Sequence, residues 1–387
     1  MRHSSKNRRN FLKNSLSGAA GIIFSSSIIQ EISAKTETFT SPPYILKNIE
    51  PRIRFSAINI NHAHIYGMVD AVSRGGGQLV SVFAKEPDLL AAFVKKYPDV
   101  KVAGSEAEIL EEKSIHLILS SGIASERAPL GIRAMKHDKD FLSDKPGITT
   151  LEQLAEARKV QKETKKIFSI MYSEHFENKS TVKAGELVKQ GAIGKVIQTI
   201  GLGPHKISLN SRPAWFFDKN KFGGILTDIG SHQVDQFLFF TGSTEAEIVA
   251  SQTGNVHHPE HPLFEDFGDM VLKGNGGTGY IRVDWFTPDS LKVFGDGRLT
   301  ILGTEGYIEL RKYVDIANRE KGSNLYLVNN KEVSYIDCND VVLPFGEQLV
   351  NDILNRTETA MTQAHCFLAM ELAIKAEKFA KKLDLKL

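Results

Sequence analysis

From residue 52 to residue 172 the chain alternates short apolar runs with amphipathic ones. That alternation constrains the fold more than any other feature. "RIRFSAINI" is a strand candidate. "AHIYGMVDAVSRG" follows it, with Ile65, Met68, Val69 and Val72 spaced for one helical face. "GGGQLVSVFA" is a glycine loop leading into a second strand, and "EPDLLAAFVKKYP" is a helix closed by Pro98. "SEAEILEE" opens with Ser105 and carries Glu108 three residues on, the spacing of a capping box. "IHLILSSG" is apolar at successive positions rather than at alternate ones, as a strand covered on both faces must be. Strands separated by helices close as a parallel sheet with helices on each side. The expectation for residues 52–172 is therefore a Rossmann-like, doubly wound α/β domain.

The second half has a different rhythm. After "STVKAGELVKQGAIG", a helix ended by glycine, come several strands with turn signals, of which "ILGTEGYIEL" is the clearest hairpin. "QAHCFLAMELAIKAEKFAKKL" closes the chain as a helix. Residues 173–387 read as an α+β domain with an open, mostly antiparallel sheet, suited to substrate binding and oligomerisation. A chain of 387 residues is long enough for two such domains. Its formal charge of +2 gives no case for nucleic acid as a partner. Cys338 and Cys366 are too few for a disulfide framework or a zinc site.

The first 34 residues are another kind of sequence. Arg8 and Arg9 followed by Phe11, Leu12 and Lys13 match a twin-arginine export signal. The mildly apolar stretch behind them is broken by serines and ends at Ala34, so it makes a poor permanent membrane anchor. Residues 35–51 read as a linker. Removing residues 1–34 takes away five basic residues and one acidic residue, which turns the net charge from +2 to −2. The expected location is the periplasm, with no stable membrane span after signal cleavage.

Two short motifs carry candidate chemistry. "DKP", Asp144 to Pro146, follows a strand, at the sheet edge where open α/β folds bind ligands. A lysine there supplies charge to a substrate hydroxyl or serves as a base once partly desolvated. The alternative is a surface lysine in a turn. In "GGILTDIGSHQVDQ", Asp228 and His232 stand four apart on one helical face, and Asp235 falls on the same side a turn later. A carboxylate beside an imidazole fixes its tautomer and raises its basicity. Gly223 and Gly224 would let the backbone approach a ligand. The alternative is a capped helix with a satisfied core histidine.

With the alternating first half, these segments resemble the glucose–fructose oxidoreductase and inositol dehydrogenase (Gfo/Idh/MocA) family over about residues 52–385. The resemblance rests on "AMKHDKDFLSDKP", "GAIGKV", "GGILTDIGSHQVDQFLFFTG" and "ILGTEGYIEL" in family order. It implies NAD or NADP as cofactor. It also implies Lys145, Asp228 and His232 around the nicotinamide and the substrate carbon, with His232 or Lys145 as acid/base and Asp228 binding substrate or orienting the histidine. Asp144 and Lys145 then also belong to the cofactor side.

Departures from the family pattern fall on the phosphate turn. Asn59, Asn61 and His64 stand where a G-x-G-x-x-G would place glycines, so Asn59, Ile60, Asn61 and His62 become the residues expected against the cofactor. Asparagine tolerates the left-handed conformation that such a turn needs. At the end of the second strand, Ala84 and Lys85 replace the acid that would hold a ribose diol, which leans toward NADP. Ser120, Ser121 and Gly122 are placed to line the nicotinamide ribose, and Arg127 sits where the family often has histidine. Tyr172, Glu174 and His175, which follow a strand, and His205, Arg212 and Trp215, in the loop "GPHKISLNSRPAWFF", are expected around the substrate. Trp215 reads equally well as a core residue. "HHPEH", with His257, His258 and His261, reads as a mobile surface segment rather than a metal site, and no metal is expected.

The reading that joins these features is an exported NAD(P)-dependent oxidoreductase. It would act on a carbohydrate or polyol hydroxyl, with tightly bound cofactor and a homo-oligomeric state. A glycosidase or lyase working through transient sugar oxidation is the first alternative. A non-catalytic sugar-binding protein on a decayed Rossmann scaffold is the second.

Overall fold

The computed structural model describes residues 51–316 and 322–384. The expected export signal and residues 35–50 of the expected linker lie outside the described residues.

Six strands form the first sheet: β1 (Ile53–Ile58), β2 (Gly77–Phe83), β3 (Lys101–Val102), β4 (Leu117–Ser120), β5 (Asp140–Asp144) and β6 (Phe168–Met171). Their spatial order is β3-β2-β1-β4-β5-β6, and every pairing is parallel. All residues of β4, β5 and β6 are buried, which is why "LILS" carries no polar alternation. Helix His64–Arg74 turns Ile65, Met68, Val69 and Val72 inward, as its period requires. The Ser105 cap forms, its hydroxyl accepting from the Glu108 N–H at 3.1 Å. The reciprocal bond is displaced by one residue: Glu108 accepts from the Gly104 N–H and pairs with Lys101. The winding direction of the sheet switches between β1 and β4, which is where an open α/β sheet leaves its crevice.

Nine strands form the second sheet: β7 (Val196–Pro204), β8 (Ala246–Gly254), β9 (Phe267–Gly274), β10 (Thr278–Asp284), β11 (Arg298–Gly303), β12 (Gly306–Arg311), β13 (Asn324–Asn329), β14 (Val333–Asp337) and β15 (Lys381–Lys382). The order is β14-β13-β12-β11-β7-β10-β9-β8-β15. Two pairings, β7 with β10 and β8 with β15, are parallel and the rest antiparallel. The expected hairpin is β11–β12, with Leu302 opposite Tyr307. The two-residue period puts Met270, Leu272, Ile281, Ile301, Ile308 and Leu327 on the buried face. Burying each such side chain contributes about 1.5–3 kcal/mol. Val271, Leu302, Tyr307 and Tyr335 alternate with them and remain exposed.

Helix Gly230–Thr241 packs on β7 and β10, and helix Gln363–Lys378 packs on both it and β6. The side chain of Gln363 accepts from the Phe168 N–H of β6 at 2.9 Å. These contacts fix the helix carrying His232 against the carboxyl edge of the parallel sheet.

Candidate functional site

A cavity of roughly 500 Å³ opens at that edge. Lys145 enters it from the chain leaving β5. Asp228 and His232 enter from the short helix Ile225–Asp228 and from helix Gly230–Thr241, which Ile229 joins in helical conformation. His205, Arg212, Trp215 and His62 line the same space. Asp144 and Glu174 line it too, so the structure brings these nine expected residues together, although 83 positions separate Lys145 from Asp228.

The internal pairing differs from the expectation. Asp228 does not hold His232: its Oδ1 accepts from Lys145 Nζ at 3.0 Å in a buried salt bridge. Helical spacing made His232 the obvious partner, but the first sheet brings a cation closer. His232 is left with Nδ1 unpartnered among the described residues. Burial dominates its titration. Glu174 opposes the effect while Lys145 and His205 add to it, and the imidazole falls to about 3. His205 falls to about 4, again mainly through burial. Both rings are neutral bases at neutral pH.

Glu174 is the anion behind these rings. Its Oε2 accepts from Lys312 Nζ at 2.7 Å and from Gln233 Nε2 at 2.8 Å, while Oε1 has no partner among the described residues. Burial works against its charge. Lys312 first, then His232 and His205, outweigh burial and hold the carboxyl well below its usual range.

Three expectations need correction. Tyr172 is completely buried, with its ring edge-on to His232 at 6.1 Å, so it forms the wall behind the imidazole and does not face substrate. His175 turns away from the cavity: its Nδ1 lies 2.9 Å from Asp235, whose other oxygen meets His365 Nε2 at 2.8 Å. Asp235 therefore serves a separate histidine pair, although it continues the same helical side. Gly223 and Gly224 both have positive φ, but what approaches Gly224 is no ligand. A Cβ there would lie 2.2 Å from the Glu377 carboxyl carbon.

The phosphate turn keeps its shape. Asn59 sits in the left-handed region at φ 57°, where the first glycine would stand. Ile60 is buried in the core and offers only its backbone. Asn61 donates to Glu86 at 2.7 Å, bracing the turn to the end of β2. Ala84 is buried, and Lys85 is exposed beside it. The two serines are spent on the turn: Ser121 Oγ donates to the His62 carbonyl at 2.7 Å, and Ser120 Oγ to the Asn59 carbonyl at 3.3 Å. Their hydroxyls stitch β4 to the turn rather than reach toward a ribose. Gly122 packs against Asn59, where a Cβ would come within 2.8 Å.

Asp144 is almost wholly buried between imidazoles and a guanidinium. His64 Nδ1 lies 2.8 Å from its Oδ1. Arg127 Nη2 is 3.1 Å from Oδ2, close enough for an ion pair but misaligned for a hydrogen bond. Burial opposes its ionisation, yet His64, Arg127 and His62 together keep the carboxyl well below its usual range. Arg127 also donates to the carbonyls of Gly122 and Lys145, tying the β4 and β5 ends together.

Sequence reasoning missed part of the wall. Trp285, Phe294 and Tyr313 line the cavity, and the Arg212 guanidinium lies 4.2 Å from the Phe216 ring centre and 5.0 Å from that of Trp285. The signal for Trp285 was its place one residue beyond β10. The "HHPEH" segment is more fixed than expected: His258 is buried 2.9 Å from Asp266, and His261 stacks on Phe217.

Residues 181–309 match the family model described as the GFO/IDH/MocA C-terminal domain. A solved structure from Erwinia carotovora atroseptica SCRI1043, of a protein provisionally assigned as an oxidoreductase, is 48% identical. It covers 86% of this chain and 100% of its own, with a TM-score of 0.84. Two Bacillus subtilis proteins are more distant. Scyllo-inositol 2-dehydrogenase (NAD(+)) is 26% identical over 52% of this chain and 56% of its own length. Scyllo-inositol 2-dehydrogenase (NADP(+)) is 25% identical over 48% of this chain and 52% of its own. The chain spans about half the length of these curated relatives.

Proposed function

Because this chain belongs to the Gfo/Idh/MocA family, we propose that it is an NAD(P)-dependent oxidoreductase acting on a hydroxyl of a carbohydrate or polyol. The observation that carries this reading is the convergence of Lys145, Asp228 and His232 in one cavity at the carboxyl edge of the parallel sheet.

The residues at the turn fit a dinucleotide. Asn59 keeps the left-handed conformation. Helix His64–Arg74 carries no acidic residue in its first turn, and its His64 N–H is met only by the neutral ring of His62 at 3.3 Å, so the positive end of its dipole still favours an anion. Asn59, Ile60, Asn61 and His62 would hold the phosphates, with Gly122 and Lys145 nearer the nicotinamide. Ala84 followed by exposed Lys85 supports NADP over NAD. When bound, the cofactor supplies the hydride acceptor.

The chain's own groups deal with the proton. His232, neutral and lining the cavity, accepts the proton of the substrate hydroxyl. Glu174, ionised and fixed by Lys312, stabilises the imidazolium that forms. Lys145 steadies negative charge on the substrate oxygen, and Asp228 fixes the direction of its ammonium. Trp215 and Trp285 offer apolar faces to a sugar ring, while His205 and Arg212 offer donors to its hydroxyls.

Two further parts of the reading rest on other features. The exposed stripe Val271, Leu302, Tyr307 and Tyr335 supports pairing of the second sheet with another copy of the chain. The Arg8–Arg9 motif supports twin-arginine export. The test of the function is direct: denature the purified protein and identify any released nucleotide by mass, then titrate the refolded chain with NAD and NADP. Release or saturable binding of either is the expected result. The absence of both release and binding overturns the proposal.

A further inference from the structure

Among the described residues, one group of three histidine, cysteine or acidic side chains has donor atoms that all lie within 4.8 Å of one another: His62, His64 and Asp144. They stand at the mouth of the cavity. His62 and His64 flank Ala63 where β1 passes into its helix, and Asp144 ends β5. We propose that His62, His64 and Asp144 form a binding site for a divalent first-row transition metal, whose open positions take adjacent oxygens of a polyol or hydroxy acid.

The donor set supports this. Two imidazoles and one carboxylate suit zinc, cobalt, iron or nickel and disfavour the all-oxygen cations magnesium and calcium. The carboxylate is also held as a metal ligand must be. The Lys145 backbone N–H donates to Asp144 Oδ1 at 2.8 Å, and Arg127 stands 3.1 Å from Oδ2, fixing the group from behind. A tetrahedral ion with ligands at about 2.0–2.1 Å needs donors about 3.4 Å apart. The 2.8 Å contact of His64 with Asp144 has to open by about 0.6 Å, and the widest separation has to close by no more than about 1.4 Å. Both imidazoles are partly exposed, at 26% and 38% of their side-chain surface, so ring rotation suffices. Arg127 offsets the Asp144 charge, so binding is weaker than at a structural zinc site and leaves the metal exchangeable. The sequence shows the same feature: the turn that lacks glycines carries H-x-H.

This inference does not rest on the dehydrogenase reading, and its test uses neither nucleotide nor substrate. The full chain, stripped with chelator, is titrated with Co²⁺ by visible absorption and calorimetry. The expected result is one Co²⁺ per chain, displaced by Zn²⁺ and not by excess Mg²⁺, retained in H257A and lost in H62A/H64A. X-ray absorption of the zinc-loaded wild type, which needs no variant to fold, should show two imidazoles on the metal. Equal Co²⁺ binding by wild type and H62A/H64A, no Co²⁺ binding by the wild type, or a metal shell with fewer than two imidazoles overturns the proposal.

Discussion

Replacing Lys145 by methionine tests the centre of the site in stability and activity together. Lys145 and Asp228 are 7% and 10% exposed in their side chains and 3.0 Å apart. K145M keeps the length of the stem but leaves Asp228 buried without its cation. Breaking a buried pair from one side costs about 3–5 kcal/mol, and the cavity beside it admits enough water to favour the low end, about 3 kcal/mol. With an unfolding entropy of about 2.1 cal/mol/K for each of about 330 residues, that loss lowers Tm by about 4 °C. K145M/D228L, which removes both charges, should recover most of the loss, giving a coupling of about 2 kcal/mol. Urea unfolding of the wild type, both single variants and the double variant measures the cycle. Turnover should vanish in K145M and in the double variant, because the Lys145 charge on the substrate oxygen is lost even where stability returns, and should fall in D228L, where the ammonium is no longer directed. A K145M variant within about 0.5 kcal/mol of wild type, or a coupling near zero, would show a solvated contact and refute the reasoning.

Other expectations follow from the same geometry. His232 is depressed to about 3 when folded and titrates near 6.5 when unfolded, so the unfolded chain binds the extra proton first. Its contribution to stability is complete above about pH 6.5 and falls by about 1.4 kcal/mol per unit below it, and H232N should flatten that acid limb in urea titrations. The kcat/KM profile should likewise show no loss near the ordinary histidine pKa, and E174Q should reduce turnover by weakening His232 as a base. G224A combines φ 93° with a 2.2 Å approach to Glu377, so it should cost at least about 2 kcal/mol by chemical denaturation. V271K/L302K should turn an oligomer into a monomer in analytical ultracentrifugation without unfolding it, while a monomeric wild type would remove the basis for sheet pairing.

The fold was legible where local chemistry and topology agree. β4 announces itself because a strand buried on both faces carries apolar residues at successive positions. The β11–β12 hairpin shows because its two-residue turn fixes the register. The site was legible by membership but not by pairing. Lys145, Asp228 and His232 each stand out in a motif, yet helical spacing links Asp228 to His232 whereas the packing of the first sheet hands it to Lys145. His175 shows the limit from the other side. It follows a strand end as a ligand residue would, but a carboxylate on helix Gly230–Thr241 draws it into a second cluster. The role of His62 and His64 beside Asp144 was hidden because it depends on β1 and β5 ending at the same edge, with 80 residues between His64 and Asp144.

The central claim is that this cavity removes a proton and a hydride from the same carbinol. The most direct measurement supplies the purified chain with NAD(P)⁺ and polyols or sugars deuterated at carbon, then weighs the nicotinamide. The account predicts deuterium on the nicotinamide ring with wild type and none with H232N. Nicotinamide that stays unlabelled across inositols, aldoses and their glycosides, in protein that binds the nucleotide, would contradict it.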